Sequence, residues 1–483
     1  MIMSPKELIM KPKLYDTQNK FACWQYSVRY RLCASLHYIL CFVLIGNLLL
    51  LTACSETDPV INDIRRQGKL IVLTRNAPTT YYLDANDAPA GFEYDLSRAL
   101  ADSLNVAVEY KIYDKIEDIL AAINQGEGHL VAAGLTRTES RAAHYLFAPD
   151  YKSVQQQVVC HRAGRMPKTP EDLLTRSILI VATSSYQETL AVLQKEYPTL
   201  NWEATDELST EQVLEKIVKK EVDCTVIDSN IFTLNRRYFP DLMRAFPLSE
   251  EQSLAWILPP NAEFFQQYVS DWFTQIKKNA LLSMINERYY GYADIFDYYN
   301  NHVFLQRIKT RLPKYEATFK QYAQQYQVPW TLLAAQSYQE SGWNAKARSH
   351  TGVRGLMMLT QTTAKAMGIK KRIDPQQSIK GGAKYLQHML SRIPDDVVVT
   401  DRVWFALAAY NVGFAHLLDA RKLARELGKS PSTWHDMREV LPLLSQKKYY
   451  KNLKYGYARG SEPVKYIDRI RYYQDVLVHS LAS

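Results

Sequence analysis

The chain has 483 residues, of which 47% are apolar and 12% aromatic. It is too long for one ordinary domain and apolar enough to build two or three cores, which excludes disorder on a large scale. Residues 54–290 hold 24 basic and 33 acidic side chains, whereas residues 291–483 hold 29 and 15. The basic second half therefore favours an anionic partner.

Residues 1–53 have the pattern of a secretion leader. Arginines precede an apolar run at residues 38–53, which is short for a membrane span and suits the hydrophobic region of a signal. The run ends in LTAC, which resembles a bacterial lipobox and implies that the thiol of Cys54 is acylated. Ser55, rather than Asp, follows this cysteine, which resembles the signal that sends Gram-negative lipoproteins to the outer membrane. We therefore expect a lipid-anchored protein on the periplasmic face of the outer membrane. A single uncleaved anchor is the alternative.

The expected periplasmic location limits the kinds of anionic partner that the basic second half can meet. A secreted, tethered chain rarely meets nucleic acid, whereas peptidoglycan carries carboxylates on its stem peptides and suits a basic domain. Residues 54–60 would form the tether. The mature chain would keep Cys160 and Cys224, which allow one disulfide but make no zinc site; whether they pair stays open.

From Gly68 onward, strand-like and helix-like segments alternate at the spacing of βαβ units, which predicts an α/β domain with parallel strands. The segments GFEYDLSRALADSL, LTRTESRAAHYLFAPDY, VATSSYQETL and KKEVDCTVIDSN follow in this order. They resemble the periplasmic solute-binding proteins for amino acids. The resemblance covers residues 61–290 and implies two lobes, the second at about 160–255, with chain crossings near 158–161 and 256–259.

The same resemblance implies a ligand site. Arg141 would pair with the α-carboxylate of an amino acid or stem-peptide ligand, and Asp228 would receive its α-amino group. Thr183, Ser184 and Ser185 precede a helix-like segment and could offer hydroxyls and helix N-terminal amides to the same anion. The alternative is that the two charged residues form surface or hinge ion pairs in a domain that has lost its ligand.

The second half is predicted to be helical. Residues 291–314 lack the Gly, Ser and Pro of a flexible linker, which indicates a tight connector. Pro329 can start a helix that Gly342 ends, so Glu340 lies in its last turn. The negative helix end and apolar surroundings favour a protonated carboxyl, as an acid for a glycosidic oxygen needs. Spacing alone favours an ordinary solvent-facing Glu.

Four segments strengthen the catalytic interpretation. Glu340-Ser341, then GLMMLT, then AAYNVG, and finally the tyrosine of PVKYIDRI, Tyr466, follow in order. They resemble the soluble lytic transglycosylase family, which has a lysozyme-like helical fold, over residues 315–483. The resemblance implies cleavage of the β-1,4 bond between N-acetylmuramic acid and N-acetylglucosamine with formation of a 1,6-anhydro end. Met358, where many relatives carry Gln, is typical of the branch that also bears an amino-acid-binding domain.

The resemblance assigns Glu340 as the acid and base, and places Ser341, Met358, Tyr410, Asn411 and Tyr466 at the substrate. For Met357, Met358 and Leu359, an apolar core is nevertheless the favoured interpretation, because Met usually fills irregular gaps beside a helix. No Asp or Glu stands between Glu340 and Asp374, which agrees with a single catalytic carboxylate. One of four later carboxylates could still fold back toward Glu340: Asp374, Asp395, Asp396 or Asp401.

The sequence thus predicts an α/β two-lobed periplasmic-binding-protein domain followed by an all-α lysozyme-like domain. The expected activity is that of a peptidoglycan lytic transglycosylase, regulated by ligand binding to the first domain. One alternative is a receptor that grips peptidoglycan without catalysis, and another is a hydrolytic muramidase. No histidine spacing suggests a metal, Ser341 has no evident His partner, and no cofactor is expected.

Overall fold

The computed structural model describes residues 59–84, 88–349 and 352–482. The predicted leader, the cysteine predicted to be acylated (Cys54) and most of the predicted tether lie outside the described residues. No helix within the described ranges is long and apolar enough to cross a bilayer.

Strands and helices alternate through the first half, as the pattern of the sequence predicts. The strands are β1 (Lys69–Thr74), β2 (Tyr82–Leu83), β3 (Pro89–Ala90), β4 (Ala107–Ile112), β5 (Leu130–Val131), β6 (Leu146–Phe147), β7 (Lys152–His161), β8 (Leu179–Val181), β9 (Glu203–Thr205), β10 (Cys224–Asp228), β11 (Leu242–Leu254) and β12 (Ile257–Leu258). The helices are α1 (Pro59–Gln67), α2 (Phe92–Leu104), α3 (Ile116–Asn124), α4 (Glu139–Ala142), α5 (Ser185–Gln194), α6 (Thr210–Val218), α7 (Ser229–Asn235), α8 (Glu263–Lys278) and α9 (Leu281–Tyr290).

The first lobe is built on a sheet with the order β4-β1-β5-β12-β6. β1 is parallel to both β4 and β5, as predicted, whereas β12 is antiparallel to β5 and β6. Leu70 and Val72 of β1 face one apolar core and Ile71 and Leu73 face another. A strand buried on both faces is a continuous apolar run, which explains the sequence KLIVLT.

The second lobe differs from the predicted parallel arrangement. Its central strands, in the order β10-β7-β11, are antiparallel, and β8 pairs in parallel with β9 alongside them. β7 and β11 are the two chain crossings, and they run in opposite directions because one leaves the first lobe and the other returns to it. Val154 lies in the core of the first lobe and Val158 in that of the second, so the first crossing comes before the predicted residues 158–161.

The two remaining cysteines lie opposite each other in this ladder. Cys160 of β7 is the register partner of Cys224 of β10, and the two form a disulfide with their Cα atoms 4.2 Å apart. The question that the sequence leaves open is thereby answered. The bond links a crossing strand to the centre of the second lobe.

The second half is helical. Its helices are α10 (Tyr298–Thr310), α11 (Glu316–Tyr326), α12 (Trp330–Ser341), α13 (Gln361–Ala366), α14 (Pro375–Arg392), α15 (Arg402–Val412), α16 (Phe414–Glu426), α17 (Trp434–Val440), α18 (Lys447–Tyr450) and α19 (Ser461–Ala482). One apolar core joins them. α12 and α15 lie at its centre, where consecutive residues such as Leu332–Ala335 and Phe405–Ala409 are buried on every side.

The last helix, α19, contacts both lobes of the first half. Arg471 donates to Glu287 Oε1 of α9 at 2.6 Å, and Arg438 of α17 donates to the same oxygen at 3.1 Å. Farther along α19, Asp475 pairs with Arg237 of the second lobe. The His479 ring stacks beyond it on a neighbouring tyrosine of that lobe at 4.2 Å. One helix therefore contacts both lobes and belongs to the helical second half.

Candidate active site and ligand cleft

Glu340 lies in the last turn of α12, as its spacing predicts. The helix ends where Gly342 adopts a left-handed conformation with φ of 57°, which glycine reaches without steric cost. A Cβ atom there would also come within 2.5 Å of the Arg307 guanidinium. The chain turn at Gly342 therefore fixes where the helix stops and where the Glu340 carboxyl points.

Tyr466 contacts the carboxyl directly. It lies near the start of α19, and its hydroxyl donates to Glu340 Oε1 at 2.5 Å. Gln336, one turn before Glu340 and fully buried, donates its Nε2 to the same hydroxyl at 3.1 Å. Two residues separated by more than a hundred positions are thus joined by packing of α12 against α19.

The loop before α13 is fastened to α12 through serine hydroxyls. Ser341 Oγ donates to the carbonyls of Leu356 and Ser337 at 2.9 and 3.0 Å, and Ser337 Oγ donates to Leu356 at 3.1 Å. Ser341 was predicted to contact Glu340 or the glycan, but its hydroxyl proton is directed at backbone. Gly355 lets the loop pass close to Arg372, whose carbonyl oxygen would lie 1.9 Å from an added Cβ. Ser341 therefore positions this loop beside Glu340.

The end of α15 closes the other side. The Tyr410 hydroxyl donates to the Met357 carbonyl at 3.1 Å, and its ring packs on Tyr385 with centroids 4.9 Å apart. Asn411, the next residue, is exposed. The structure thereby brings the four predicted segments to one place.

The methionine pair divides between two environments. Met357 is fully buried, as is Leu356 before it, whereas Met358 is partly exposed. Met358 also has a φ of 44°, which is uncommon for a residue other than glycine and is often found at functional sites. The core interpretation therefore suits Met357 but not Met358, whose side chain is available to a substrate.

Burial raises the pKa of Glu340 to about 7, and the hydrogen bond from Tyr466 opposes this shift. The residue as a whole keeps some exposed surface, although the surroundings of its carboxyl are poorly solvating. Burial raises the pKa values of Tyr466 and Tyr410, and a charge on Glu340 raises them further. Near neutral pH the carboxyl can therefore give up a proton and take one back.

The four carboxylates that could have folded back toward Glu340 are engaged elsewhere. Asp374 caps α14 by accepting from Gln377 N at 2.9 Å, Asp396 accepts from Arg421 at 2.6 Å, and buried Asp401 accepts from the backbone of α17 at 2.7 Å. Asp395 is exposed, 3.8 Å from an arginine. The described hydrogen-bond partner of the Glu340 carboxyl is the hydroxyl of Tyr466, and it is none of these four carboxylates.

The residues that the sequence predicts for a ligand site in the first half also lie together. Arg141 is 6% exposed and spans the two lobes, donating to the Thr136 carbonyl and to the Thr183 carbonyl at 2.9 Å each. Ser184 and Ser185 are buried at the start of α5, and Thr183 has a φ of 57°. In this closed arrangement both guanidinium nitrogens donate to backbone carbonyls. To bind a ligand carboxylate, Arg141 would have to give up these partners.

Asp228 lies across the same cleft. It is 2% exposed and accepts from the Tyr186 hydroxyl at 3.2 Å. Burial raises the pKa of Asp228 to about 6, against the effects of Tyr186, Arg75 and Arg141. Together these groups surround a cavity of about 20 Å³, which has room for roughly one water molecule. An amino acid could enter only if the lobes open.

Sequence reasoning missed several of the residues at both sites. Arg75 follows β1 directly, and a residue at the carboxyl end of a parallel strand is a recognisable candidate for ligand binding. Gln336 lies on the same helix face as Glu340, which the spacing does indicate. Tyr186 and Tyr385 carry no comparable signal. Among the described residues, no group of three His, Cys, Asp or Glu side chains is placed to hold a metal ion.

Two families match the chain in the order that the sequence indicates. Residues 69–292 match the family described as bacterial extracellular solute-binding proteins, family 3. Residues 317–432 match the transglycosylase SLT domain. These matches confirm the predicted fold class of a binding-protein domain followed by a helical domain.

Relatives cover nearly the whole chain. A membrane-bound lytic murein transglycosylase F from Stutzerimonas stutzeri is 42% identical over 90% of this chain and 89% of its own. The protein of the same name from Shewanella loihica is 44% identical over 89% and 90%. Membrane-bound lytic murein transglycosylase F 2 from Alkalilimnicola ehrlichii is 43% identical over 89% and 96%.

Among solved structures, a cysteine-binding protein from Campylobacter jejuni covers 49% of this chain and 96% of its own, with a TM-score of 0.45 and 15% identity. Holo ArgBP from T. maritima covers 45% of this chain and 93% of its own, with a TM-score of 0.41 and 18% identity. At these scores the likeness carries no weight for function.

Proposed function

Because the chain belongs to the family of membrane-bound lytic murein transglycosylase F and is a peptidoglycan lytic transglycosylase, we propose that Glu340 is its single acid and base. The observation that supports this role is the contact of Tyr466 with a carboxyl whose pKa burial raises to about 7. Tyr410 and the exposed Asn411 and Met358 would line the cleft around it.

In the first step Glu340 gives its proton to the oxygen that joins N-acetylmuramic acid to N-acetylglucosamine. The bond from that oxygen to C1 of the muramic residue breaks, and N-acetylglucosamine leaves with a free hydroxyl. The raised pKa keeps a proton on Glu340 for this step. Tyr466 then stabilises the carboxylate, because a hydrogen bond to a charged oxygen is stronger than one to a neutral group.

In the second step the C6 hydroxyl of the same muramic residue attacks C1 and loses its proton to Glu340. The product is a 1,6-anhydro ring, no water is consumed, and Glu340 returns to its starting state. The separate partners of Asp374, Asp396 and Asp401 support this route, since no carboxylate of that set is left to act as a nucleophile or to activate water.

The second part of the proposal concerns regulation by the solute-binding domain, residues 69–292, which we call the binder domain. An amino acid or stem peptide would enter between the lobes, with its carboxylate at Arg141 and its amino group at Asp228. The contacts of α19 with Glu287 in one lobe and Arg237 in the other support coupling, because α19 also carries Tyr466. Ligand-driven movement of one lobe would then displace a catalytic partner.

The name of the relatives, membrane-bound, supports a membrane-associated protein. The finer proposal is an outer-membrane lipoprotein held by acylated Cys54 on the periplasmic side. Mutation of Cys54 to Ser should release the protein into the soluble periplasmic fraction. Retention of that variant in the membrane fraction would contradict a lipid anchor.

Mass spectrometry of muropeptides released from purified sacculi tests the chemistry. The chain from Ser55 onward should release 1,6-anhydro products, and Glu340→Gln should reduce their release by about 10²- to 10⁴-fold, as expected for loss of a general acid and base. Glu462→Gln, an exposed carboxylate in the first turn of α19, is the matched control. Reducing-end products would identify a hydrolase, and sacculus binding without release would favour a receptor.

A further inference from the structure

A cationic surface loop, residues 446–460, adjoins the catalytic helices. Between Glu439 and Glu462 the chain carries no acidic residue, four tyrosines and five basic residues. All five basic residues are exposed: Lys447, Lys448, Lys451, Lys454 and Arg459. We call this segment the tyrosine-lysine loop.

The basic residues of the tyrosine-lysine loop have no acidic partner within 4 Å among the described residues. Elsewhere in the same domain, exposed Lys320 and Lys422 each pair with a nearby carboxylate, whereas exposed Lys309 has no such partner among the described residues. Five unpaired cations on a short segment repel one another in the free protein. Such a set is stabilised by an anion that the described part of the chain does not supply.

The loop is held in place rather than free. The Tyr455 amide donates to buried Asp419 at 2.7 Å, the Ala458 amide donates to the Leu444 carbonyl at 3.1 Å, and Leu453 is buried. Lys448 lies 5.1 Å from the Tyr449 ring and Lys454 lies 5.2 Å from the Tyr455 ring. Ring faces attract ammonium groups, so the rings help to fix the positions of the charges.

The loop leads directly into the helix that carries Tyr466. It ends at Gly460, which packs so closely on the Leu441 carbonyl that an added Cβ would lie 1.6 Å from the oxygen. α19 starts at the next residue, and Tyr466 follows after roughly 8 Å of helix. On the other side, the Tyr455 ring packs 6.4 Å from His416 of α16, the helix that follows Asn411. The loop therefore contacts α16 and continues directly into α19, the helix that carries Tyr466.

We propose that the tyrosine-lysine loop binds the carboxylates of a stem peptide while the attached glycan lies in the cleft. The inference rests on the proposed function, because it needs a peptidoglycan strand at Glu340. A stem peptide of four residues reaches up to about 13 Å when extended, which is enough to span from a muramic residue near Tyr466 to the loop. Each exposed ion pair is weak alone, so the loop acts through the sum of several.

The test uses the inactive Glu340→Gln protein, from Ser55 onward, so that binding does not depend on turnover. Its sedimentation with intact sacculi is compared with its sedimentation with the same glycan after an amidase has removed the stem peptides. One variant changes Lys447, Lys448, Lys451 and Lys454 to Gln. The matched control changes four exposed lysines that have no ion-pair partner: Lys195, Lys220, Lys278 and Lys309.

The loop variant should bind intact sacculi about tenfold more weakly than its parent at low salt, with the difference reduced at high salt because exposed charges are screened. It should bind peptide-free glycan as well as the parent does, and the control should match the parent on both. An equal loss on both substrates, no loss on either, or the same loss in the control would overturn the proposal. Loss of binding to phosphatidylglycerol vesicles alone would assign the loop to a membrane surface instead.

In the active protein, the variant should still release anhydro products; if the wild type releases none, the proposed function fails while the binding result stands.

Discussion

The hydroxyl of Tyr466 donates to Glu340 Oε1 at 2.5 Å, and this contact links the second turn of α19 to the last turn of α12. It is the contact through which the long C-terminal helix touches the proposed acid. The same hydroxyl accepts from buried Gln336, so its orientation is fixed from the side opposite the carboxyl. A tyrosine held in this way can follow a change of charge on Glu340 without moving.

Tyr466→Phe should move the alkaline limb of the activity profile to higher pH. The hydrogen bond lowers the pKa of Glu340, so its removal lets burial raise that pKa further above 7. Turnover at pH 7 should fall about tenfold, since a hydrogen bond to a charged group is worth ~1.5 kcal/mol or more. The measurement is the rate of anhydro-muropeptide release between pH 5 and 9.

Tyr473→Phe is the control for this variant. Tyr473 lies two turns farther along α19, where its ring packs on Phe304 and Tyr338 at 4.7 Å each. Its variant should keep the wild-type profile. An alkaline limb that stays in place in Tyr466→Phe would show that the contact does not set the protonation of Glu340.

Ser341→Ala and Ser337→Ala should each reduce the free energy of unfolding by about 1 kcal/mol, measured by urea denaturation. Both hydroxyls donate to the Leu356 carbonyl. The two losses of unfolding free energy should therefore not be additive in the double variant. Turnover should fall in Ser341→Ala, because the loop that carries Met358 loosens. Ser391→Ala removes an exposed hydroxyl on α14 and should change stability by less than about 0.5 kcal/mol. Additive losses with unchanged turnover would contradict a positioning role for Ser341.

The helix end that carries Glu340 could be predicted from sequence, because Pro329, the apolar spacing and Gly342 are local signals. The four segments that meet around Glu340 could be predicted through their order along the chain. The direction of the Ser341 hydroxyl could not, since it depends on where the Leu356 carbonyl arrives after a loop of fifteen residues. Tyr385 was missed for the same reason, because its contact with Tyr410 arises only when α14 packs on α15.

In the binder domain, the parallel core of the first lobe follows from alternating strand and helix segments. The antiparallel centre of the second lobe does not, because it results from the chain crossing between lobes in both directions. The pairing of Cys160 with Cys224 likewise depends on the register of β7 and β10. Local pattern specifies the elements, whereas crossings and registers depend on tertiary contacts.

Ligand binding to the first half should weaken below about pH 6. Asp228 has its pKa raised to about 6 by burial, so it loses its negative charge as pH falls through this value and no longer attracts an amino group. Titration calorimetry with stem peptide released from sacculi by an amidase should give roughly tenfold lower affinity at pH 5 than at pH 7.5. Asp228→Asn should bind weakly at every pH tested. An affinity that stays constant over this range in the wild type would exclude Asp228 as the partner of the amino group.

Asp475→Asn should uncouple turnover from the ligand of the binder domain. Asp475 accepts from Tyr292 at 2.5 Å and pairs with Arg237 of the second lobe, while Arg471 on the same helix pairs with Glu287 of the first lobe. A rigid helix held at two lobes has to shift when one lobe moves relative to the other, and Tyr466 shifts with it. Without the Asp475 charge, the second lobe can move while α19 stays on the first, so the ratio of rates with and without stem peptide should approach one.

Asp102→Asn, an exposed change on α2, should keep the wild-type ratio; a ligand response retained in Asp475→Asn would place the coupling in other contacts of the interface.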